Sequence, residues 1–193
     1  ALAFGRAGDA PWIFVAYLAI NGVYSLGAKH VVVLDVFLIA AGFMLRLLAG
    51  TLGLGIAPSQ WLLPCGLMLT LFLGFAKRRA ELSALGDDPA AHRRVLDDYS
   101  AGLLDQFTTI AAACAVVSYS LYTVSAETVA LHGSGHLLLT LPFVLYGMFR
   151  YLFLLHRRGA GGDTASDVFA DPHLILAVAA WLATVLAVLT GRL

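Results

Sequence analysis

The sequence predicts an all-α, polytopic transmembrane helix bundle, and three observations predict it. Of 193 residues, 60% are hydrophobic and only 12% are charged, against about 45–50% and about 25% in soluble domains. The apolar residues fall in long runs without the strict alternation of a barrel strand. The charge is confined to the connections between those runs. A chain that must face water gains nothing from this partition; a chain whose solvent is lipid does.

A helix needs about 20 apolar residues to cross a bilayer. Six stretches meet or approach that length: residues 11–23, 31–51, 61–76, 106–125, 137–155 and 173–190. The first and third are short unless flanking residues join them. Lys29, Lys77, Arg78, Arg79, Arg93, Arg94, Arg157 and Arg158 lie in connections separated from one another by two crossings, hence on one side. The other side holds only Arg6 and Arg192. The positive-inside rule places the basic side in the cytoplasm. A single membrane domain spanning residues 1–193 is expected. The chain opens on Ala1-Leu2-Ala3-Phe4 without a basic leader, which reads as the tail of an earlier helix, with further residues expected upstream.

The formal net charge is zero, so no global basic field is available to hold nucleic acid. Cys65 and Cys114 both sit in apolar runs and read as packing residues. His132 and His136 are four apart, but Gly133 and Gly135 between them work against a fixed helical metal pair. Gly159, Gly161 and Gly162 read as a flexible turn; the alternative is a backbone cradle for phosphate.

Ionisable residues inside spans are costly and usually mark a site. Asp35, Arg46 and Arg150 lie within or at the edge of spans. Asp35, Gly42 and Arg46 fall on one helical face, as a structural ion pair or as the wall of a polar cleft. Lys77 and Glu81 also share a face, with Arg78 and Arg79 beside them. They fit either a solvated helix end or a phosphate site, with cations for the oxygens and a carboxylate for Mg²⁺. Tyr99 and Asp105 flank the start of the fourth span, where capping and interfacial anchoring account for them.

Three segments together resemble the UbiA superfamily of intramembrane prenyltransferases. They are Tyr24-Ser25-Leu26-Gly27-Ala28-Lys29-His30 with Leu34-Asp35, then Ala41-Gly42-Phe43-Met44-Leu45-Arg46, then Gly74-Phe75-Ala76-Lys77-Arg78-Arg79-Ala80-Glu81. The family's loop motif is Y-x-x-x-K, whereas four residues separate Tyr24 from Lys29. Its second aspartate motif is D-x-x-x-D, and Lys77 and Glu81 stand at those two positions. That exchange, with Asp98-Tyr99-Ser100, Asp105, Arg150-Tyr151-Leu152, His156-Arg157-Arg158-Gly159 and Asp171-Pro172, resembles the decaprenyl-phosphate phosphoribosyltransferase branch.

The resemblance implies a nine-helix bundle with a cytoplasmic cavity open to lipid, of which about six helices are present here. The family's first motif, N-D-x-x-D-x-x-x-D, is not found in this sequence. The implied reaction moves a 5-phosphoribosyl group from phosphoribosyl diphosphate to a polyprenyl phosphate and releases diphosphate. In mycobacteria and their relatives the product feeds cell-wall arabinan. The implied roles are Lys77 and Glu81 in catalysis, with Glu81 on Mg²⁺. Substrate binding would fall to Tyr24, Lys29, His30, Asp35, Arg46, Arg78, Tyr99, Asp105, Arg150 and Arg157. Competing readings are a prenyl transfer from a prenyl diphosphate, against which Lys77 argues, a transporter or channel, and a non-enzymatic scaffold.

Overall fold

The computed structural model describes residues 10–55, 58–84, 96, 98–158 and 163–192. Among them are eight α-helices: α1 (Ala10–Leu26), α2 (Leu34–Gly53), α3 (Leu62–Ala84), α4 (Ala101–Val124), α5 (Ala126–His132), α6 (Leu141–Arg158), α7 (Thr164–Ala170) and α8 (Pro172–Leu189). No strand occurs among the described residues. The bundle is all-α, as the composition predicts.

Four segments are long and apolar enough to cross a membrane: Leu34–Gly53, Ala101–Val124, His136–Arg157 and Pro172–Leu189. The chain is therefore a multi-pass membrane protein. Two of the six expected spans fall outside that criterion for physical reasons. Helix α1 has 17 residues. Helix α3 runs 23 residues, but its last turns carry Lys77, Arg78, Arg79 and Glu81. The reading of a loop from Lys77 onward is corrected accordingly: the helix continues two turns past Ala76. Arg78 and Arg79 find carboxylates on α2 and α4, and Glu81 pairs with Arg78 within α3, so these charges are accommodated in the helix.

Other boundaries shift less. The fifth span starts as a 3₁₀ turn, His136–Thr140, before α6 begins. Pro142 sits in the first turn of α6, where a missing N–H costs nothing. Helix α4 begins at Ala101, earlier than the apolar run, because Ser100 caps it by accepting from the Leu103 amide at 3.2 Å. The stretch before α8 contains α7. The segments holding Arg6, Asp87, Asp88, Arg93, Arg94, Asp97, Gly159, Gly161 and Gly162 lie outside the described residues.

One buried cluster ties α2, α3, α4, α6 and α8 together, with Val36, Phe72, Phe75, Leu104, Leu154 and Leu174 among its members. Helix α3 packs most extensively on α4, and Phe75 meets Phe107 there at 5.2 Å between ring centroids. Phe72 meets Tyr151 of α6 edge-on at 5.5 Å. At the α2–α3 crossing, a Cβ on Gly74 would lie 2.5 Å from Val36 Cγ1. Only glycine permits that approach, which brings the start of α2 against the charged end of α3.

Candidate active site at the basic end of the bundle

The connection between α1 and α2 is a short 3₁₀ turn, Ala28–His30, followed by Val33 at φ +68° and ψ −45°. Such a backbone is strained for a β-branched residue. The Leu34 amide closes the turn onto the Val32 carbonyl at 2.8 Å. The Val33 amide, left over by this geometry, donates to the Tyr99 hydroxyl at 2.6 Å. That hydroxyl in turn donates to Asp35 Oδ1 at 3.2 Å. Burial pushes the Tyr99 phenol up to about 12, so it remains a proton donor throughout the physiological range.

Asp35 is fully buried and also accepts from Arg78 Nε at 2.7 Å. Arg78, itself 3% exposed, reaches onward to Glu81 Oε2 through Nη1 at 2.6 Å. Four residues from three places in the chain thus form one network: Asp35 of α2, Arg78 and Glu81 of α3, and Tyr99 before α4. The strain at Val33 is held by this network, the pattern expected where a site over-determines its backbone. Tyr99→Phe is expected to cost about 1–3 kcal/mol, because it strips a partner from a part-buried amide and a buried carboxylate. Chemical or thermal unfolding of the solubilised protein measures it, and an unchanged midpoint would refute the bridging role.

Beside the network lies a cavity of about 920 Å³ walled by the end of α1, by α2 and by α3. That volume is within the usual range for a small-molecule pocket, about 300–1,000 Å³. Its walls are mainly apolar, with Phe43, Leu47, Leu69 and Leu73 among them. Its polar groups are Tyr24, Arg46, Thr70, Lys77 and Arg78. Lys77 is exposed and Glu81 half-buried, one helical turn apart on the same face of α3. A smaller cavity of about 150 Å³ adjoins it between α1 and α2 and shares Tyr24, Ile39 and Arg46.

The remaining candidates sit elsewhere. Lys29 and His30 are exposed on the 3₁₀ turn. Asp105 accepts from Arg79 Nε at 2.8 Å and lies 3.3 Å from His156 Nε2, joining α3, α4 and α6. Arg157 is exposed in the last turn of α6. Arg150 grips Asp171 with two bonds, 3.1 Å from Nε and 2.7 Å from Nη2. Asp171 simultaneously caps α8, accepting from the His173 and Leu174 amides, each at 3.1 Å. Asp35 and Arg46, although on one helix, are separated in role: Asp35 is buried against Arg78, while Arg46 faces the cavities. His132 ends α5, and Gly133 at φ +68° turns the chain away. No group of three or more His, Cys, Asp or Glu suited to a metal occurs among the described residues.

The bonds from Arg150 and the helix amides hold the Asp171 carboxyl down to about 2, from 3.8. The stability this confers is present above pH 3.8 and lost as pH falls through about 2. Asp171→Asn is therefore expected to lower the unfolding midpoint at pH 6, with the gap to the parent protein closing as pH drops toward 2. A gap that persists at pH 2 would refute the carboxylate's contribution.

Three roles were not legible in the sequence. Arg79, Asp105 and His156 converge from positions 26 and 51 residues apart, where no helical spacing signals contact. Tyr17, which meets Arg46, looks like any interfacial aromatic. Asp171 as the mate of Arg150 carries a weak signal, the helix-start pair Asp-Pro.

No family model matches the chain. Curated proteins do. It is 28% identical over 180 residues to the decaprenyl-phosphate phosphoribosyltransferase of Mycolicibacterium smegmatis, covering 90% of this chain and 56% of that protein. It is 33% identical over 155 residues to the protein of that name from Corynebacterium glutamicum, covering 80% and 45%. It is 29% identical over 173 residues to that of Mycobacterium tuberculosis, covering 90% and 56%. The chain is similar to a large segment of these transferases. It spans about half the length of the curated relatives it matches. A match covering 90% of 193 residues necessarily includes Lys29 to Asp171, so the similarity to the decaprenyl-phosphate phosphoribosyltransferases runs through the whole cavity and its charged end.

Proposed function

We propose that the protein transfers a 5-phosphoribosyl group from phosphoribosyl diphosphate to a polyprenyl phosphate at the cytoplasmic face of a bacterial plasma membrane. The observation that carries this reading is that Lys77 and Arg78 line one end of an apolar cavity of about 920 Å³, with Glu81 bonded to Arg78 behind them. The similarity to the phosphoribosyltransferases supports it.

The chemistry suits the place. The donor brings a diphosphate and the acceptor a phosphate, so the reacting groups need cations beside a lipid-compatible wall. As the C1–O bond of the donor breaks, negative charge builds on the departing diphosphate, and pre-set cations stabilise it. Lys77, exposed in the cavity and mobile on its stem, meets that charge as a point cation. Arg78, held through Nε by Asp35 and through Nη1 by Glu81, adds a fixed positive group to the same wall. The acceptor phosphate already carries a nucleophilic oxygen, so no strong general base is needed. Its hydrocarbon chain would lie along Phe43, Leu47, Leu69 and Leu73.

A magnesium ion fits the donor set in one specific way. Glu81 is a single half-buried carboxylate with one oxygen committed to Arg78, and Mg²⁺ in phosphate chemistry commonly takes one or two carboxylates with the rest from substrate and water. Glu81 would hold it, and the ion would neutralise charge on the diphosphate. Lys29 and His30, exposed on the turn beside α2, lie at the basic surface where an anionic headgroup would arrive.

The test is incorporation of label. With radiolabelled phosphoribosyl diphosphate, decaprenyl phosphate and Mg²⁺, the protein in nanodiscs is expected to move label into the lipid-extractable phase. Absence of label, with turnover of a prenyl diphosphate instead, would replace this reading by prenyl transfer.

A further inference from the structure

A glycine in the interior of a long helix lowers stability relative to alanine, because it frees the unfolded chain and adds no contact. Such a residue needs a reason in packing, in backbone conformation or in a ligand. Gly74 of α3 has the first: a Cβ there would lie 2.5 Å from Val36 Cγ1. Gly66, about two turns earlier on the same helix, does not. The nearest atoms to a Cβ at Gly66 are Met44 Cε and Sδ at 3.5 Å and Leu47 Cδ2 at 3.7 Å. These are ordinary van der Waals distances to the ends of flexible side chains. Its backbone is regular α-helix, which any residue but proline adopts.

Gly66, Met44 and Leu47 all line the cavity of about 920 Å³. A side chain longer than a methyl group at position 66 would therefore occupy cavity space. Along α3, Leu62, Gly66, Leu69 and Leu73 share the face that ends at Lys77, so Gly66 is a notch in a wall of leucines. Met44 opposite it is the most adaptable of apolar side chains. The polar side chains nearby are engaged by the protein itself. Thr70 Oγ1 donates to the carbonyls of Gly66 and Leu67. The Arg46 guanidinium lies 4.8 and 5.6 Å from the ring centroids of Phe43 and Tyr17, with Nη1 donating to the Tyr17 hydroxyl at 3.3 Å. What the notch adds to the cavity is apolar space.

Its depth follows from helix geometry. Gly66 precedes Lys77 by 11 residues of α3, an axial distance of about 16 Å. An extended isoprene unit adds four chain bonds, or about 4–5 Å. With a phosphate at Lys77 taking the first few ångströms, a chain lying along the leucine wall reaches Gly66 in its third unit. Resting on the acceptor assigned above, we propose that Gly66 is the specificity-determining residue that lets the acceptor chain run past this point inside the protein. A larger residue closes the notch and turns a longer chain out against its wall. An acceptor too short to reach the notch meets no such obstacle.

The experiment compares geranyl, geranylgeranyl and decaprenyl phosphates, which carry two, four and ten isoprene units. Their affinities for the protein in nanodiscs are measured as mole fractions in the bilayer, without donor. Gly66→Leu is expected to weaken the two longer acceptors about 10-fold relative to geranyl phosphate, the scale of forcing a ligand into an over-filled site. Gly66→Ala is expected to unfold at or above the parent midpoint and to shift the same ratio by about threefold. A lower midpoint for Gly66→Ala would show that packing requires the glycine and would overturn the proposal. Equal losses for all three acceptors, or no loss for any, would overturn it too. If the leucine variant does not fold, an unaltered ratio in the alanine variant overturns it as well. Failure of label transfer in the parent protein, with the length-selective loss intact, would refute the transferase reading and leave the isoprenoid subsite standing. Transfer with an unaltered ratio would do the reverse.

Discussion

Glu81→Gln is expected to lower phosphoribosyl transfer by roughly 100- to 1,000-fold, the scale of losing one pre-set electrostatic contact to a transition state. The substitution is nearly isosteric. A glutamine carbonyl oxygen still accepts the bond that Arg78 Nη1 gives to Glu81 Oε2, so the α3 end keeps its geometry. What disappears is the negative charge that would hold a divalent cation. The Mg²⁺ concentration giving half-maximal rate should rise along with the fall in rate. Lys77→Ala should produce a loss of similar size by the opposite route, since an exposed cation in the cavity wall is removed without disturbing any ion pair among the described residues. The measurement is lipid-extractable label as a function of Mg²⁺, beside the size-exclusion profile of each variant. Near-normal rates in a well-folded Glu81→Gln protein would take that carboxylate out of the chemistry.

Asp35→Ala carries the largest expected effect on stability, a loss of about 3 kcal/mol, because it leaves Arg78 Nε buried without its acceptor while Glu81 still holds Nη1. Asp35 and Arg78 are 0% and 3% exposed, so water cannot readily take over. The Tyr99 hydroxyl loses its acceptor in the same step, and the strained turn at Val33 loses its anchor. Thermal unfolding in detergent reads the loss; a midpoint within a degree or two of the parent would show that the pair is solvated. The double replacement Asp35→Leu with Arg78→Met separates stability from function. A buried ion pair exchanged for apolar side chains is often neutral or stabilising, so this protein should fold. It should nevertheless transfer poorly, having lost a cation from the cavity wall.

The amino-acid sequence alone determined the solvent of this protein. Partition of apolar runs and charged connections is a local property, and it yields helices, their approximate spans and the side on which cations collect. The i, i+4 relation of Lys77 to Glu81 is likewise local, which is why both could be placed on one helical face before any fold was known. The same spacing rule put Asp35 and Arg46 on one face and offered an ion pair or a cleft wall. Tertiary structure divided that choice. Gly74 lets α2 approach α3 so closely that Asp35 falls against Arg78, 43 residues distant, and Arg46, three turns along, faces a cavity. Arg150 and Asp171, and the group of Arg79, Asp105 and His156, are decided in the same way. A helix's period specifies which residues share its own surface. It carries no information about which surface of another helix will meet it, and only packing in three dimensions assigns each charge its partner or leaves it free for a ligand.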